Sequence, residues 1–201
     1  MRRRVISRLQ QTALAALIAC SLILPAFAGA GQKNDFTRGK ATVNIKNFGK
    51  VNDNIYRGGQ PRGNNYRELV DAGIKTIVDL REDHERDAKS EAEKAGLRYI
   101  NLPLAPKAYP SADAADRFLE IVNNEANWPV YVHCAGGRHR TGAMFAVYRM
   151  KVDEWNIERT YQEMKDYDFY TRWGHGDMKK FVQDYAANFR AKSSVAVEGT
   201  K

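Results

Sequence analysis

The sequence predicts an α/β domain with a central, largely parallel sheet flanked by helices. β-branched runs of strand length alternate with stretches of helical periodicity, and this alternation is typical of parallel strand–helix–strand units. The chain has 201 residues and no internal repeat, a length that suits one well-packed core and is too short for two. The pattern indicates a single domain, which we place at residues 45–190.

The first half of the domain begins with strands and continues with alternating helices and strands. Residues 43–56 predict two short strands around a turn, 64–72 a short helix, 74–80 a buried strand, 83–95 a charged helix and 97–102 a further strand. Gly73 and Gly96 end the two helices. A loop over residues 103–110 follows the last strand.

The second half of the domain predicts one strand among four helices. The helices cover residues 111–124, 141–151, 156–167 and 176–191, and the strand covers residues 130–133. Ser111 is a suitable N-cap for the first of these helices, and Asp113 is well placed against its dipole. A glycine loop joins the strand to the helix that follows it.

The first 28 residues have the pattern of a secretory signal peptide. Four arginines precede an apolar run that ends in Ala26-Phe27-Ala28, which fits cleavage before Gly29, and Ala28-Gly29-Ala30 offers a second site before Gly31. We favour the first site. We therefore expect an exported protein, periplasmic or secreted, with a flexible lead-in over residues 29–44 and a disordered tail over 191–201.

A lipoprotein signal is the alternative interpretation of this segment. Leu17-Ile18-Ala19-Cys20 resembles the lipobox at which bacterial lipoproteins are cleaved and acylated. Apolar residues continue through Phe27, where a lipoprotein normally turns polar. The run is short for a membrane span, which needs about 20 apolar residues, and no later stretch is apolar enough to be one.

The charge of the exported chain favours anionic substrates. Removal of residues 1–28 takes away four arginines and no acids, and so lowers the formal net charge from +8 to +4. No nucleic-acid motif or long Lys/Arg run accompanies the remaining charge. We therefore expect anionic ligands, with no nucleic acid among the partners.

Cys134 is the single cysteine of the exported chain, because Cys20 lies in the signal. An intrachain disulfide is therefore excluded. A lone thiol in an oxidising compartment is either buried and inert or chemically used. The neighbours of Cys134 favour use.

The stretch HCAGGRHRTG, residues 133–142, predicts an anion-binding loop between a strand and a helix. Successive backbone N–H groups in such a loop form an anion nest, and the helix dipole adds positive charge at the same point. Gly136 and Gly137 allow the backbone angles and the close approach that the nest requires. A cysteine at its base has a pKa lowered from about 8.5 to roughly 3.5–7.5, and its thiolate is a nucleophile at neutral pH.

We predict different roles for the backbone and for the side chains of this loop. The substrate phosphate is bound by Ala135, Gly136, Gly137, Arg138, His139 and Arg140. The planar fork of Arg140 holds two phosphoryl oxygens, Thr141 donates its hydroxyl to the sulfur, and His133 orients the cysteine through a backbone hydrogen bond. The alternative is a strand-to-helix turn with a buried cysteine and solvated arginines.

Residues 133–141 match the His-Cys-x5-Arg-Ser/Thr signature, and the chain resembles the cysteine-based tyrosine and dual-specificity phosphatases. NIYRGGQP at 54–61 and GIKTIVDLR at 73–81 are similar to the atypical dual-specificity branch. The resemblance implies a compact cysteine-dependent phosphatase fold without metal or cofactor, and hydrolysis of phosphate monoesters through a phosphocysteine on Cys134. It implies phosphotyrosine, phosphoserine or phosphothreonine proteins or inositol phosphates as substrates, and we expect a monomer.

The sequence departs from this family at the general acid. The family uses an aspartic acid from an upstream loop, whereas INLPL, at the corresponding residues 100–104, contains no acid. Asp113 and Asp116 come later, at the expected rim of the site. We predict Asp113 as the acid, and its alternative role is to support the first turn of its helix. For Asp116 a solvated helix face is favoured.

Further basic and aromatic side chains are relevant to the class of substrate. The additional basic groups are Arg57, Arg81, Arg138 and His139. They suggest highly phosphorylated ligands about as well as phosphotyrosine, and Arg57 and Arg81 are alternatively ordinary surface charges. The aromatic side chains Phe169, Tyr170 and Trp173 are expected in the core rather than on a substrate platform.

Two other functions remain open from the sequence. A rhodanese-like sulfurtransferase also holds a cysteine in an anion loop, and turnover of thiosulfate would identify one. A catalytically dead phosphate-binding module would bind phosphate tightly without hydrolysing any phosphomonoester.

Overall fold

The structure is a computed structural model that describes residues 43–82, 87–111 and 113–198. The predicted signal peptide and most of the predicted lead-in lie outside the described residues. Among the described residues, no helix is both long and apolar enough to cross a membrane.

A five-stranded sheet forms the centre of the domain. Its strands are β1 (Gly49–Lys50), β2 (Ile55–Gly58), β3 (Thr76–Arg81), β4 (Arg98–Leu104) and β5 (Val130–His133). Their order is β1-β2-β5-β3-β4, and β1 pairs with β2 antiparallel while all other pairs are parallel. The predicted α/β class with a largely parallel sheet is confirmed.

Helices cover both faces of the sheet. They are α1 (Asn65–Asp71), α2 (Ala88–Lys94), α3 (Ala114–Asn123), α4 (Arg140–Lys151), α5 (Ile157–Asp166) and α6 (Gly176–Glu198), with short 3-10 turns at Glu125–Asn127 and Arg172–Gly174. Buried side chains of α3 to α6 form one core cluster with the sheet, and those of α1 and α2 form a second cluster on the other face.

The middle strand β5 explains why the site lies where it does. All four of its residues are buried, with Val130 and Val132 in the larger core cluster and Tyr131 in the smaller one. This division follows from the alternation of side chains along a strand. Parallel partners on both sides, β2 and β3, fix the strand, so its carboxyl end is held within the sheet.

Several predicted boundaries differ from the structure. The prediction of Ser111 as N-cap is wrong, because α3 begins at Ala114 with Asp113 at the N-cap position, and the Ser111 carbonyl instead accepts from the Ala114 N–H in a preceding turn (3.1 Å). The strand β4 continues through Leu104, two residues into the predicted loop. The helix α2 is described from Ala88, and residues 83–86 of its predicted range lie outside the described residues.

The last helix is longer than predicted. It extends to Glu198, whereas the sequence predicts its end near Ala191 and a disordered tail after it. No glycine or proline interrupts the chain between Asp177 and Glu198, and so nothing in the backbone ends the helix earlier.

Candidate active site

The predicted strand–loop–helix unit is present around Cys134. The strand β5 ends at His133, Cys134 is buried directly after it, and α4 begins at Arg140. Nearly all of α4 is buried in the core, so its N-terminus is fixed against the loop formed by residues 134–139. This arrangement places a helix N-terminus, with its partial positive charge, beside the thiol.

The carbonyl groups of this loop are held by neighbouring parts of the fold. Their donors are His133 Nδ1 to Cys134 (3.3 Å), the Gln60 amide to Ala135 (3.2 Å), Asn47 Nδ2 to Gly136 (2.9 Å), Arg57 Nη2 to Gly137 (3.4 Å), and the Gly142 and Ala143 amides to Arg138 (3.1 Å) and His139 (2.8 Å). In a planar trans peptide the next N–H points opposite to the carbonyl. The N–H groups of residues 135–140 therefore face the other side of the loop, as an anion nest requires.

The two loop glycines have different roles. Gly137 has a φ of 69°, and a Cβ at this position would lie 2.5 Å from the carbonyl carbon of Gly58. It therefore has the predicted backbone angle, and the approach of the Gly58 backbone also requires glycine here. Gly136 has no positive φ, and a Cβ there would lie 3.7 Å from the flexible side chain of Arg138. For Gly136 the predicted unusual backbone angle is therefore wrong.

This difference predicts opposite outcomes for two alanine substitutions. Gly137→Ala should lower the free energy of unfolding by about 2 kcal/mol or more, because the new Cβ meets the Gly58 backbone in a left-handed conformation. It should also displace the loop and weaken binding of vanadate. Gly136→Ala is the matched control, and it should keep both properties near those of the wild type. Denaturant unfolding and vanadate titration measure the two effects, and equal losses in both variants would contradict the assignment.

The environment of Cys134 favours its thiolate. Burial alone would raise the pKa of the thiol, but the Thr141 hydroxyl and amide, the charge of Arg140 and the Gly136 amide outweigh burial and lower it. The Thr141 hydroxyl is itself buried, and within standard hydrogen-bond geometry it has no partner among the described residues. These contacts agree with the predicted position of Thr141 beside the sulfur.

Arg140 lies at the first position of α4, with its side chain buried. Its Nη1 donates to the carbonyl of Leu104, the last residue of β4, at 3.2 Å. This bond fixes one edge of the planar guanidinium beside the loop. The strand β4 thus contributes to the site through the orientation of Arg140.

A buried polar network lies behind the loop. The Asp79 carboxylate accepts from Arg81 Nη2 (2.8 Å) and from the Tyr99 hydroxyl (2.8 Å), and its Oδ1 lies 3.8 Å from His133 Nδ1. Burial lowers the pKa of His133 to about 4 despite the opposing charge of Asp79, so the imidazole is neutral at pH 7. Arg81 is therefore a buried partner of Asp79 rather than a surface charge.

Arg57 is also buried rather than exposed. Its contact with the loop is the bond to the Gly137 carbonyl already described. Neither Arg57 nor Arg81 lies on the solvent-facing side of the site, so the predictions of a wider anion site and of ordinary surface charges are both wrong for these two residues. The basic side chains at the loop surface are those of Arg138, a quarter exposed with Nε 3.8 Å from Asp168 Oδ2, and of His139.

His139 stacks on His175, a residue that the sequence analysis missed. The two rings are parallel with centroids 3.5 Å apart, and Tyr170 meets the His139 ring edge-on at 4.4 Å. Burial and the neighbouring His175 lower the pKa of His139 to about 4. Burial, together with the charges of Lys107 and Arg140, also lowers the pKa of His175. His175 therefore belongs to the surroundings of Arg140.

The three aromatic residues before α6 differ in burial. Phe169 is buried in the core as predicted, and Tyr170 is half-buried against His139. Trp173 is 71% exposed with a φ of 57°, so its predicted place in the core is wrong. The left-handed backbone at Trp173 and Gly174 turns the chain sharply before α6 and directs the indole outward.

Asp113 lies at the N-cap position of α3 and is exposed. Its Oδ2 accepts from Arg117 Nη1 at 3.4 Å. A hydrogen bond from the Ser111 side chain is the main cause that lowers the pKa of Asp113. These contacts are those of a carboxylate at a helix start, and Asp113 is ionised at neutral pH in this state.

A thiol activated at the end of the middle strand, in an amide loop closed by an arginine, defines the class of cysteine-based phosphatases. The family model described as DSP-PTPase phosphatase fused to NAD+ Kinase matches residues 35–183, and the chain belongs to this family. The resemblance drawn from residues 133–141 is confirmed.

Three known proteins show the extent of the similarity. Probable NAD kinase 2, chloroplastic, of Oryza sativa subsp. japonica is 39% identical over 104 residues, which are 49% of this chain and 11% of that protein. Probable tyrosine-protein phosphatase DG1060 of Dictyostelium discoideum is 31% identical over 124 residues, 59% of this chain and 74% of that protein. The crystal structure of the core catalytic domain of PP-IP phosphatase SIW14 from Saccharomyces cerevisiae, in complex with citrate, matches with a TM-score of 0.62 and 25% identity over 76% of this chain and 94% of that chain. The chain thus spans only a small part of the rice relative.

Proposed function

We propose that this domain is a phosphatase that hydrolyses phosphate monoesters through a phosphocysteine on Cys134. The observation that carries the proposal is the loop itself. All carbonyls from Cys134 to His139 are hydrogen-bonded to neighbouring groups, and the thiol at its base has a lowered pKa despite burial. A loop built in this way holds a tetrahedral dianion next to a thiolate.

The residues support a two-step reaction. In the first step the Cys134 thiolate attacks phosphorus, the Sγ–P bond forms, the ester P–O bond breaks, and the leaving oxygen takes a proton. In the second step water attacks phosphorus and loses a proton, the Sγ–P bond breaks, and inorganic phosphate and the thiolate are released. Arg140 neutralises charge on the phosphoryl oxygens in both steps, and the Thr141 hydroxyl stabilises the departing thiolate.

Two substrate classes have support from relatives. The Dictyostelium relative is named a tyrosine-protein phosphatase, and the yeast structure is that of a PP-IP phosphatase. The surface of this site carries fewer cations than its sequence suggested, because Arg57 and Arg81 are buried and the lowered pKa of His139 leaves that ring neutral at pH 7. We propose phosphate monoesters as the substrate class. Phosphoproteins and inositol phosphates are the two candidate substrates within that class.

A substrate panel tests this proposal. The protein without residues 1–28 is assayed against phosphotyrosyl and phosphoseryl peptides, inositol phosphates, nitrophenyl phosphate and thiosulfate, with release of phosphate or sulfite as the readout. We expect phosphate release that Cys134→Ser abolishes. Sulfite release from thiosulfate would identify a sulfurtransferase, and tight phosphate binding without any turnover would identify an inactive binding module.

We propose Asp113 as the general acid. In support, the loop that leads from β4 to Asp113 starts at Leu104, whose carbonyl contacts Arg140. Asp113 is ionised in the free protein, so an acid role requires the bound phosphate dianion to raise its pKa by like-charge repulsion. Asp113 would then be protonated when the substrate is bound, and it would give that proton to the leaving oxygen.

Leaving-group chemistry distinguishes this role from helix support. A basic alkoxide or phenolate needs a proton as it departs, whereas nitrophenolate leaves almost unaided. Asp113→Asn should lower kcat/KM by about 100-fold on alkyl or tyrosyl phosphates and much less on nitrophenyl phosphate. Asp116→Asn is the control and should leave both rates near wild type. Equal losses on both substrates with a lower Tm would show that Asp113 supports α3 only.

We also propose that the domain is exported and acts outside the cytoplasm. The support is the arginine-rich start, the apolar run and the Ala-x-Ala site before Gly29. Cell fractionation followed by N-terminal sequencing tests this. A mature protein that begins at Gly29 agrees with it, acylation at Cys20 would identify the lipoprotein alternative, and an uncleaved cytoplasmic chain would contradict export.

A further inference from the structure

Arg57 is a fully buried cation at the loop end of β2. Its side chain is 0% exposed. The guanidinium lies over the Tyr167 ring, 3.8 Å from the ring centroid, and 5.2 Å from the centroid of Phe145. Two aromatic faces therefore enclose the charge, which stabilises a cation that has lost its water.

The charge of Arg57 is only partly neutralised. Its nearest carboxylate oxygen is Glu163 Oε2, 3.6 Å from Nη1, and this carboxylate is already engaged by Arg149 at 2.7 and 3.0 Å. Nε and Nη1 of Arg57 have no hydrogen-bond partner among the described residues. Burial lowers the pKa of Arg57, which expresses the cost of holding the cation there. A buried, under-satisfied cation is expensive for stability alone.

Among the described residues, the one side-chain hydrogen bond of Arg57 is made to the loop of residues 134–139. Nη2 donates to the carbonyl of Gly137 at 3.4 Å. Because the Gly137–Arg138 peptide is planar, the bond turns the Arg138 N–H to the opposite side, toward the nest. Gly137, which precedes this peptide bond, has a left-handed conformation with a φ of 69°. Arg57 therefore holds the carbonyl of the one left-handed residue in the loop of residues 134–139.

Arg57 also acts on the nucleophile through its charge. Its charge interacts electrostatically with Cys134, more weakly than with Glu163 and Tyr167. The other groups that act on the thiol are Arg140 and Thr141 of α4, the Gly136 amide of the loop and Tyr131 of β5. Burial keeps the pKa of Tyr131 well above its ordinary value, and the Tyr131 hydroxyl donates to the Gly59 carbonyl at 2.6 Å. Tyr131 is therefore neutral, and the cations that face the thiolate are Arg140 near the substrate and Arg57 behind the loop.

We propose that Arg57 is a positioning residue of the active site, which orients the Gly137–Arg138 peptide toward the phosphoryl group and stabilises the Cys134 thiolate from the buried side. It does not touch the substrate. This inference rests on the proposed phosphatase chemistry. It assigns different roles to two arginines. Arg140 binds the transferring group, and Arg57 maintains the loop and the charge of the nucleophile.

Two substitutions separate the geometric effect from the electrostatic one. Arg57→Met removes both the charge and the bond to Gly137, and Arg57→Lys keeps the charge but lacks the planar fork. The matched control is Arg149→Lys, because Arg149 shares the Glu163 carboxylate but has no contact with the loop among those described. The readouts are the pH dependence of Cys134 alkylation by iodoacetamide, the affinity for orthovanadate, and Tm.

Arg57→Met should raise the apparent pKa of alkylation by about 1. It should also weaken vanadate binding about tenfold. Arg57→Lys should keep the alkylation profile close to wild type and still bind vanadate more weakly. Arg149→Lys should lower Tm and leave the other two readouts unchanged.

A folded Arg57→Met protein with the wild-type alkylation profile and wild-type vanadate affinity would overturn the inference. If the Met variant does not fold, Arg57→Lys decides, because unchanged vanadate affinity in that variant would overturn the positioning of Gly137. Neither readout requires turnover. A wild-type chain that hydrolyses no phosphomonoester would therefore refute the proposed function without being mistaken for a failure of the Arg57 experiment.

Discussion

Cys134→Ser is expected to reduce turnover of phosphate monoesters by at least about 1,000-fold. The Thr141 and Gly136 contacts and the charge of Arg140 lower the pKa of the wild-type thiol despite its burial, and so favour the thiolate. A serine hydroxyl at the same place remains protonated at neutral pH, because its pKa starts several units higher. The same surroundings therefore activate sulfur but not oxygen.

Binding should survive this substitution. The partners that hold the loop carbonyls, among them Asn47, Arg57 and Gln60, do not involve the sulfur. Calorimetric titration with phosphate or vanadate and a phosphate-release assay on the same protein give both quantities. Turnover above a small fraction of the wild-type rate would contradict the phosphocysteine mechanism, and a parallel loss of binding would show that the thiol helps to shape the loop.

The part of the site nearest Cys134 in sequence could be predicted because its information is local. An apolar strand over residues 130–133, a glycine loop and a periodic helix are each encoded within a few positions, and the structure has β5 and α4 at nearly those boundaries. The anion-binding loop is thus the most predictable feature of the chain.

The supports of the loop could not be assigned from sequence because they come from distant positions. Asn47 reaches the Gly136 carbonyl from 89 residues away, and Arg57 reaches Gly137 from 80 residues away. Charged residues are seldom fully buried, so an arginine at the end of a short strand is expected at the surface. The stretch NIYRGGQP carried the one available signal, since it marked Arg57 as part of the resembling segment without giving its role.

The predicted core position of Trp173 is wrong for a related reason. Trp173 is large and apolar, and such residues are expected inside. The two consecutive left-handed residues, Trp173 and Gly174, turn the chain before α6 and leave the indole exposed. His175, which follows, is brought onto His139 by the same path. Neither the exposure of Trp173 nor the contact of His175 with His139 can be predicted from sequence periodicity.

Arg140→Lys is expected to lower kcat by about 100-fold or more while the protein remains folded. The guanidinium is planar, and its Nη1 is tied to the Leu104 carbonyl at 3.2 Å, so its orientation at the mouth of the loop is fixed. A lysine ammonium keeps the positive charge but is a point donor on a flexible stem. It cannot hold two phosphoryl oxygens at once as the transition state develops.

Vanadate distinguishes loss of the fork from loss of charge. Since vanadate resembles the transferring phosphoryl group, its inhibition should weaken about tenfold in Arg140→Lys. Arg98→Lys, which changes an arginine bonded to Asn127 at 2.9 Å and outside the loop, is the control for the substitution itself. Steady-state rates with and without vanadate provide the measurement. If Arg140→Lys kept near-normal kcat and vanadate inhibition, Arg140 would not hold the phosphoryl oxygens, and charge alone, supplied from either side of the loop, would be sufficient for the reaction.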